Sequence, residues 1–371
     1  MKDILTVMKF TIKDMVRRKS FIISTLIILV LIVIGFNVPN IIKSIKGEST
    51  GDKLLIVDNE NIFEGNLELL KQGDLGYEVV FKSESNKSAL TDMTDEELES
   101  FDVLATYNSF EKLDISKMKN LKYIQLSSTG FDQVPIETIM ENNILICNNK
   151  GGYSIPISEW IVSEILQIYK NTKSFYDKQT KKQWISDYTV SEVYGKKIGF
   201  LGTGTIATES AKRLKAFGVE LWGWNTDGRN IKYFDKCFSK DEINEVLSNC
   251  DVIVSTIPAT KETYKLMNKE KFDVMKENSS FINVGRGKVV DEEDLLKYSS
   301  KFRGIALDVF DKEPLDEYSE LWNLENLIIT PHNSWVSEQN HLRSFNLFYN
   351  NLKKYISNKS PENIVEIKKG Y

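Results

Sequence analysis

Three short stretches carry residue types that could do chemistry together: INVGRGKVVDEEDLL with Arg286, GIALDVFDKEPL with Glu313, and LIITPHNSW with His332. Each follows or ends a predicted strand, and in a parallel α/β sheet ligands bind at the carboxyl ends of strands. Arg286, Glu313 and His332 are therefore expected to converge around one cleft. A guanidinium fork there suits an anion, and an imidazole beside a carboxylate suits proton transfer near neutral pH. The chain has two histidines. His332 follows Pro331 at a strand end, well placed for chemistry, whereas His341 falls in the next predicted helix and is expected to be solvated.

A second motif supplies a partner for such a cleft. KKIGFLGTGTIATESAKRLKAFGVELWGWN contains Gly202-Thr203-Gly204-Thr205-Ile206-Ala207 between an apolar strand and a helical pattern. That context is what G-x-G-x-x-G/A needs to be a dinucleotide fingerprint. Gly202 permits the tight turn, Gly204 lets the backbone approach a pyrophosphate, and Ala207 lets helix and strand pack closely. Thr205 and Ile206 open the helix, whose free N–H groups would face the phosphates. The next strand ends near Asn225, where an acid normally binds the adenosine ribose. A neutral Asn225, with Thr226 and Arg229 beside it, favours NADP(H) over NAD(H) by charge complementarity; Asp227, able to reach the ribose, is the counter-argument.

The elements that must position these residues alternate. KLLIVD, YEVVF, DVLATY, LKYIQLS and NILICN read as five strands separated by helical or polar stretches, and Thr94 with Glu97 resembles a capping box. SIPISEWIVSEILQIYKNTKSFYDKQ reads as one long helix with Ile157, Trp160, Ile161 and Ile165 on its apolar face. The alternation then restarts with KKIGFLG, VELWGW, DVIVSTI, SFINVG, FRGIALDVF and NLIITPH. Two parallel, doubly wound α/β sheets are expected. The tail from Trp335 to Tyr355 returns to helix, with Leu342, Phe345, Leu347, Phe348 and Leu352 apolar. A net charge of −5 gives no basic surface for nucleic acid. Cys147, Cys237 and Cys250 lack metal spacing, and an odd count argues against a disulfide framework; no metal site is expected.

The N-terminus differs in kind. Residues 1–19 carry Ile4, Met8, Ile12 and Met15 at helical spacing with lysines on other faces, as in a membrane-surface helix. Residues 20–42 hold no charge, and as a helix would reach roughly 34 Å, enough to span a bilayer. The excess of Lys and Arg before this segment places residue 1 in the cytoplasm and everything after Ile42 outside.

From about Thr94 to Ile356 the chain resembles the D-isomer-specific 2-hydroxyacid dehydrogenases, and within them the phosphoglycerate dehydrogenase-like members. The carrying motifs are Gly202 to Ala207, Asn283 to Gly287, Asp308 to Pro314 and Thr330 to His332, in family order and spacing. The resemblance implies a flavodoxin-like substrate domain over 53–153 and 330–371 and a Rossmann cofactor domain over 154–329. It implies hydride transfer between NAD(P)H and a 2-oxo acid or D-2-hydroxy acid, and a homodimer. Arg286 would bind the substrate carboxylate and polarise its 2-oxo group, His332 would exchange the hydroxyl proton, and Glu313 would fix the imidazole ring. Asp308 would bind the nicotinamide end, with Val284 in the cofactor site. SSTGFDQ matches the family's carboxylate-binding loop, implicating the backbone of Thr129 and Gly130. STIPATKET matches the loop beside the adenosine, implicating Thr256 and Pro258.

Departures are expected to matter. Trp335 stands where the family usually has a small residue, and Ser158 replaces a common alanine. Residues 1 to about 81 more weakly resemble the start of an ABC-type export permease, which suggests a fusion joined between Lys82 and Thr94. Such a join could leave a silent nucleotide-binding protein if the borrowed strands misform the substrate domain. Alternatively KLLIVD and YEVVF serve as the missing strands. An NAD(P)H enzyme requires the cytoplasm, so the charge bias and the chemistry disagree about which side holds the catalytic part.

Overall fold

The computed structural model describes residues 52–58, 66, 68, 70 and 75–367. The predicted surface helix over 1–19 and span over 20–42 lie outside the described residues. Among the described residues no helix is long and apolar enough to cross a membrane. The chain divides into two compact units. The described part of the first is Asp52, Lys53 and Gly76–Glu78, where Lys53 Nζ lies 3.4 Å from Glu78 Oε2. The second, Leu54–Leu75 with Val79–Tyr371, carries the fold and the site described below.

The first sheet comprises β1 (Lys53–Asp58), β2 (Glu78–Ser83), β3 (Val103–Thr106), β4 (Tyr123–Leu126) and β5 (Leu145–Cys147), in the order β2-β1-β3-β4-β5. β1, β3, β4 and β5 run parallel, with Leu54 opposite Val103, Val103 opposite Tyr123 and Tyr123 opposite Leu145. This is the flavodoxin-like order, whose switch point lies between β1 and β3. Leu54, Leu55, Ile56 and Val57 are wholly buried, because a parallel strand covered on both faces needs a continuous apolar run. KLLIVD and EVVFKS therefore take their places in the sheet, so the first two strands do not misform it. Thr94 caps the helix Asp95–Glu99 by accepting from Glu97 N at 3.2 Å.

The second sheet comprises β6 (Lys197–Leu201), β7 (Glu220–Trp224), β8 (Lys236–Phe238), β9 (Val252–Ser255), β10 (Ser280–Asn283), β11 (Gly304–Leu307) and β12 (Leu327–Ile329). Its order is β12-β11-β10-β9-β6-β7-β8, with every neighbouring pair parallel. The order reverses between β6 and β9, which sets the crevice for a dinucleotide. Apolar clusters cover both faces: Leu247, Phe272, Phe281 and Leu295 on one side, Ile161, Ile165, Ala207 and Ala211 on the other.

Three differences from the sequence reading have local causes. The long helix is two, α1 (Ser154–Tyr169) and α2 (Thr172–Thr180), because Asn171 turns left-handed at φ +51. Its amide bonds Thr189 Oγ1 at 2.6 Å and Asp187 Oδ2 at 3.3 Å instead of continuing the helix. β8 was not expected, since three edge residues carry no readable period. The helix α3 (Thr205–Leu214) follows β6 as the fingerprint requires, but the tail helix α4 (Asn340–Ile356) starts later than Trp335 and leaves Leu342 exposed. After α4 the chain returns to the first sheet, where Val365 N donates to Ile146 O at 2.9 Å and Ile364 bridges Cys147.

Candidate active site

The fingerprint turn has the space that a nucleotide needs. Gly202 sits at φ +91, and a Cβ there would meet Ile257 Cγ2 and Thr256 Oγ1 at 2.9 Å. Gly204 is the N-cap residue of α3 with no side-chain cap, and a Cβ built on it meets nothing within 4 Å. Open space above an uncapped helix N-terminus, followed by Thr205 and Ile206, is a cradle for the pyrophosphate of NAD(P). Thr256 turns its hydroxyl to Leu201 O at 3.1 Å and so braces the turn. Pro258 O accepts from Thr263 Oγ1 at 2.6 Å, and Val284 is buried with its N–H on Ser255 O.

Asn225 is at the end of β7, as the sequence placed it, but its amide is engaged. Nδ2 donates to Thr203 Oγ1 at 3.2 Å and to Arg229 O at 2.9 Å, while the buried Oδ1 has no partner among the described residues. That unpartnered acceptor suits a ribose hydroxyl. Arg229 lies against Asp227, with Nη1 to Oδ1 at 2.8 Å, and both side chains are exposed beside Thr226. The hydrogen bond from Arg229 holds the Asp227 carboxyl below its ordinary value.

The three expected catalytic residues come together. His332 Nδ1 lies 2.7 Å from Glu313 Oε2, and Glu313 Oε1 accepts from Phe310 N at 3.0 Å. Arg286 donates through Nε to Asp132 Oδ2 at 3.3 Å and through Nη1 to Gly285 O at 2.9 Å. A Cβ on Gly130 would stand 1.8 Å from Arg286 Nη2, so only a glycine lets the guanidinium lie against the Ser128–Gly130 backbone. Ser128 Oγ holds that loop by donating to Gly130 O at 2.7 Å, and Asn148 Nδ2 donates to Thr129 O at 2.8 Å. The guanidinium thus lies directly against the loop backbone.

His332 itself is held at φ +50, a left-handed conformation that bulky residues adopt only when their surroundings impose it. Its N–H donates to Asp308 O at 2.8 Å. Asp308 is 1% exposed, and its carboxylate accepts from Thr330 Oγ1 at 2.5 Å, Asn333 N at 2.8 Å, Ser334 N at 3.1 Å and Ser334 Oγ. Those donors fill the carboxylate's acceptor sites. Asp308 therefore anchors the loop that carries His332. His341, expected to be solvated, is partly buried, with Nδ1 unpartnered among the described residues.

Sequence reasoning missed Asp132 and Tyr107. Asp132 lies two residues past Gly130 in the quoted SSTGFDQ stretch, but pairing with Arg286 is a long-range fact. Tyr107 follows β3, and a position just past a strand end is the signal that could have found it. Burial pushes its phenol up; Glu84, Glu313 and Asp58 add to that, and Arg286 opposes it. Its hydroxyl is thus within electrostatic reach of both Arg286 and Glu313.

Residues 162–334 match the family described as D-isomer specific 2-hydroxyacid dehydrogenase, NAD binding domain. A glyoxylate reductase of Thermofilum pendens is 30% identical over 266 residues, covering 69% of this chain and 78% of that protein. A hydroxypyruvate reductase of Blautia hydrogenotrophica is 26% identical over 331 residues, covering 84% of this chain and 99% of that protein. A crystal structure of a D-isomer specific 2-hydroxyacid dehydrogenase family protein from Aeromonas salmonicida subsp. salmonicida A449 is 26% identical. It superposes with a TM-score of 0.73 and covers 85% of this chain and 99% of that one. A match over 84% of the chain cannot start as late as Thr94. A join between Lys82 and Thr94 is thereby corrected, and the permease resemblance gains no support from these relatives.

Proposed function

Because this chain belongs to the D-isomer specific 2-hydroxyacid dehydrogenase family, we propose that it reduces a small 2-oxo acid to the D-2-hydroxy acid with NAD(P)H, and runs the reverse. The observation that carries this is the Glu313–His332 pair, joined at 2.7 Å, in the site that also holds Arg286 and the Ser128–Gly130 loop. A bound NAD(P)H supplies the hydride. Arg286 binds the carboxylate and polarises the 2-oxo oxygen. His332, its Nδ1 taken by Glu313, gives the proton to that oxygen from Nε2 and takes it back in oxidation.

Glyoxylate and hydroxypyruvate, named for two relatives, are the substrates to test first. NADPH is the favoured donor, supported by Thr226 and Arg229 around a neutral Asn225. Arg229→Ala should then lower kcat/KM with NADPH more than with NADH. Self-association is supported by the exposed Phe175, Tyr176, Trp184, Ile185, Tyr188 and Tyr194, close in sequence and too large a group of aromatic and aliphatic side chains to leave in water. Light scattering should give twice the monomer mass. The uncharged run from Ser20 to Ile42 supports a tether to the membrane with the catalytic part on the NAD(P)H side. Protease added to intact cells should leave that part uncut.

The direct test is turnover by His332→Ala and Arg286→Ala. Each should abolish reduction of every 2-oxo acid that the unaltered protein uses, with NAD(P)H affinity retained. Full activity in either variant would sink the reading.

A further inference from the structure

The chain crosses between its two sheets twice, once through residues 148–154 into α1 and once through residues 330–340 into α4. Trp335 lies on the second crossing and Tyr153 on the first. The Trp335 indole N–H donates to His332 O at 2.9 Å. The ring meets Tyr153 edge to face, with centroids 5.4 Å apart and planes at 65°, a favoured aromatic geometry. The Tyr153 hydroxyl donates in turn to Ser127 O, at the head of the loop that runs to Gly130. Burial pushes the Tyr153 phenol up to about 12, so it remains a donor across the working range.

The rest of the neighbourhood fixes both ends of this chain of contacts. Asn340 Nδ2 donates to Trp335 O. Arg343 donates through Nη2 to Asn340 Oδ1 at 2.7 Å and through Nε to Gly152 O at 3.0 Å. Asn149 Nδ2 reaches Ser127 O at 3.0 Å and Ser344 Oγ at 2.8 Å. Asp308 holds the His332 loop from beneath, and the indole N–H holds the carbonyl of His332. Both peptide groups of the left-handed His332 are thereby restrained.

We infer that Trp335 is a positioning residue, which locks the backbone of His332 through its indole N–H and, through Tyr153 and Ser127, keeps the proton donor in register with the carboxylate-binding loop. This inference rests on the dehydrogenase reading, but one arm of its test does not. An indole at this place differs from a simple pocket wall in its signature. A wall acts on substrate binding, whereas a brace on His332 acts on the proton-transfer step.

The experiment compares Trp335→Phe, Tyr153→Phe and the double variant with the unaltered full chain. Trp335→Phe keeps an aromatic ring against Tyr153 and deletes the N–H together with the second ring of the indole. Expected is a fall in kcat of about tenfold, the worth of one lost hydrogen bond, with KM for the 2-oxo acid and affinity for NAD(P)H unchanged. Tyr153→Phe should lower kcat less, and the double variant should be no worse than Trp335→Phe, because both cut one line of contacts. An unchanged kcat, a loss confined to KM, or effects that multiply in the double variant would overturn the inference. Should the unaltered protein reduce no 2-oxo acid, the dehydrogenase reading fails alone. Imidazole ¹⁵N spectra then decide the brace, since the chain has two histidines and His341→Gln assigns them. Trp335→Phe should shift or broaden the His332 signals, and identical signals would overturn it.

Discussion

Glu313 Oε2 meets His332 Nδ1 at 2.7 Å although the two residues stand in loops that follow different strands, β11 and β12. The other Glu313 oxygen accepts from Phe310 N at 3.0 Å, so the carboxylate cannot turn without losing a bond. That arrangement leaves Nε2 as the nitrogen for the substrate. In Glu313→Gln the amide can offer an N–H to Nδ1 and favour the other tautomer. We expect kcat to fall about a hundredfold, with KM and cofactor affinity close to the starting values in steady-state assays. An unchanged kcat would show that the pairing is structural.

Arg286 presents a fork whose Nη2 rests against Gly130. Lysine keeps the charge but not the planar fork that binds a carboxylate with two nitrogens at once. Arg286→Lys should lower kcat/KM for the 2-oxo acid by about 10–100-fold, the worth of one charge-assisted hydrogen bond, while cofactor affinity measured by fluorescence holds.

The two fingerprint glycines should separate stability from binding. Gly202→Ala forces φ +91 on a residue with a Cβ, and that Cβ meets Ile257 at 2.9 Å. A loss of about 1–3 kcal/mol in unfolding free energy is expected. Gly204→Ala places its methyl in open space, so thermal stability should hold while NAD(P)H binding weakens. Equal destabilisation of both variants would contradict a phosphate cradle.

Glu164 on α1 predicts a pH effect on stability. It is 3% exposed, and its carboxyl is pushed up to about 7, first by burial, with Asp308 adding and Gln167 opposing. Between the ordinary value of 4.5 and about 7 the folded state holds a proton that the unfolded state has lost. Stability therefore falls as pH rises through that window and stays low above it. Glu164→Gln should be more stable than the unaltered protein by about 1–3 kcal/mol at pH 8, and the advantage should shrink toward pH 5. Thermal melts across that range check the sign.

What could be read in the sequence was local. Gly202, Gly204 and Ala207 follow an apolar strand and open a helix, so chain order alone shows the fingerprint. Arg286, Glu313 and His332 each sit just past a strand, so the parallel sheet brings them to one edge. The flavodoxin-like start was harder, because KLLIVD and YEVVF follow a segment of another character, yet their apolar runs were enough to name them as strands. The bonds by which Asp308 anchors the His332 loop were not legible, because its donors lie 22 to 26 residues away in sequence. The Arg286–Asp132 pair spans 154 residues, and no period or motif reports such a contact. Asn171 ends α1 through a side-chain bond to Thr189, 18 residues on, which helical patterning cannot show.

The central claim is best tested by incubating the full-length protein with NADPH or NADH and a panel of 2-oxo acids led by glyoxylate and hydroxypyruvate. The loss of reduced nicotinamide is followed, and the configuration of any chiral product is determined. The account predicts consumption with at least one small 2-oxo acid, giving the D-2-hydroxy acid, and none with His332→Ala. Cofactor binding without turnover on any member of the panel, or an L product, would contradict it.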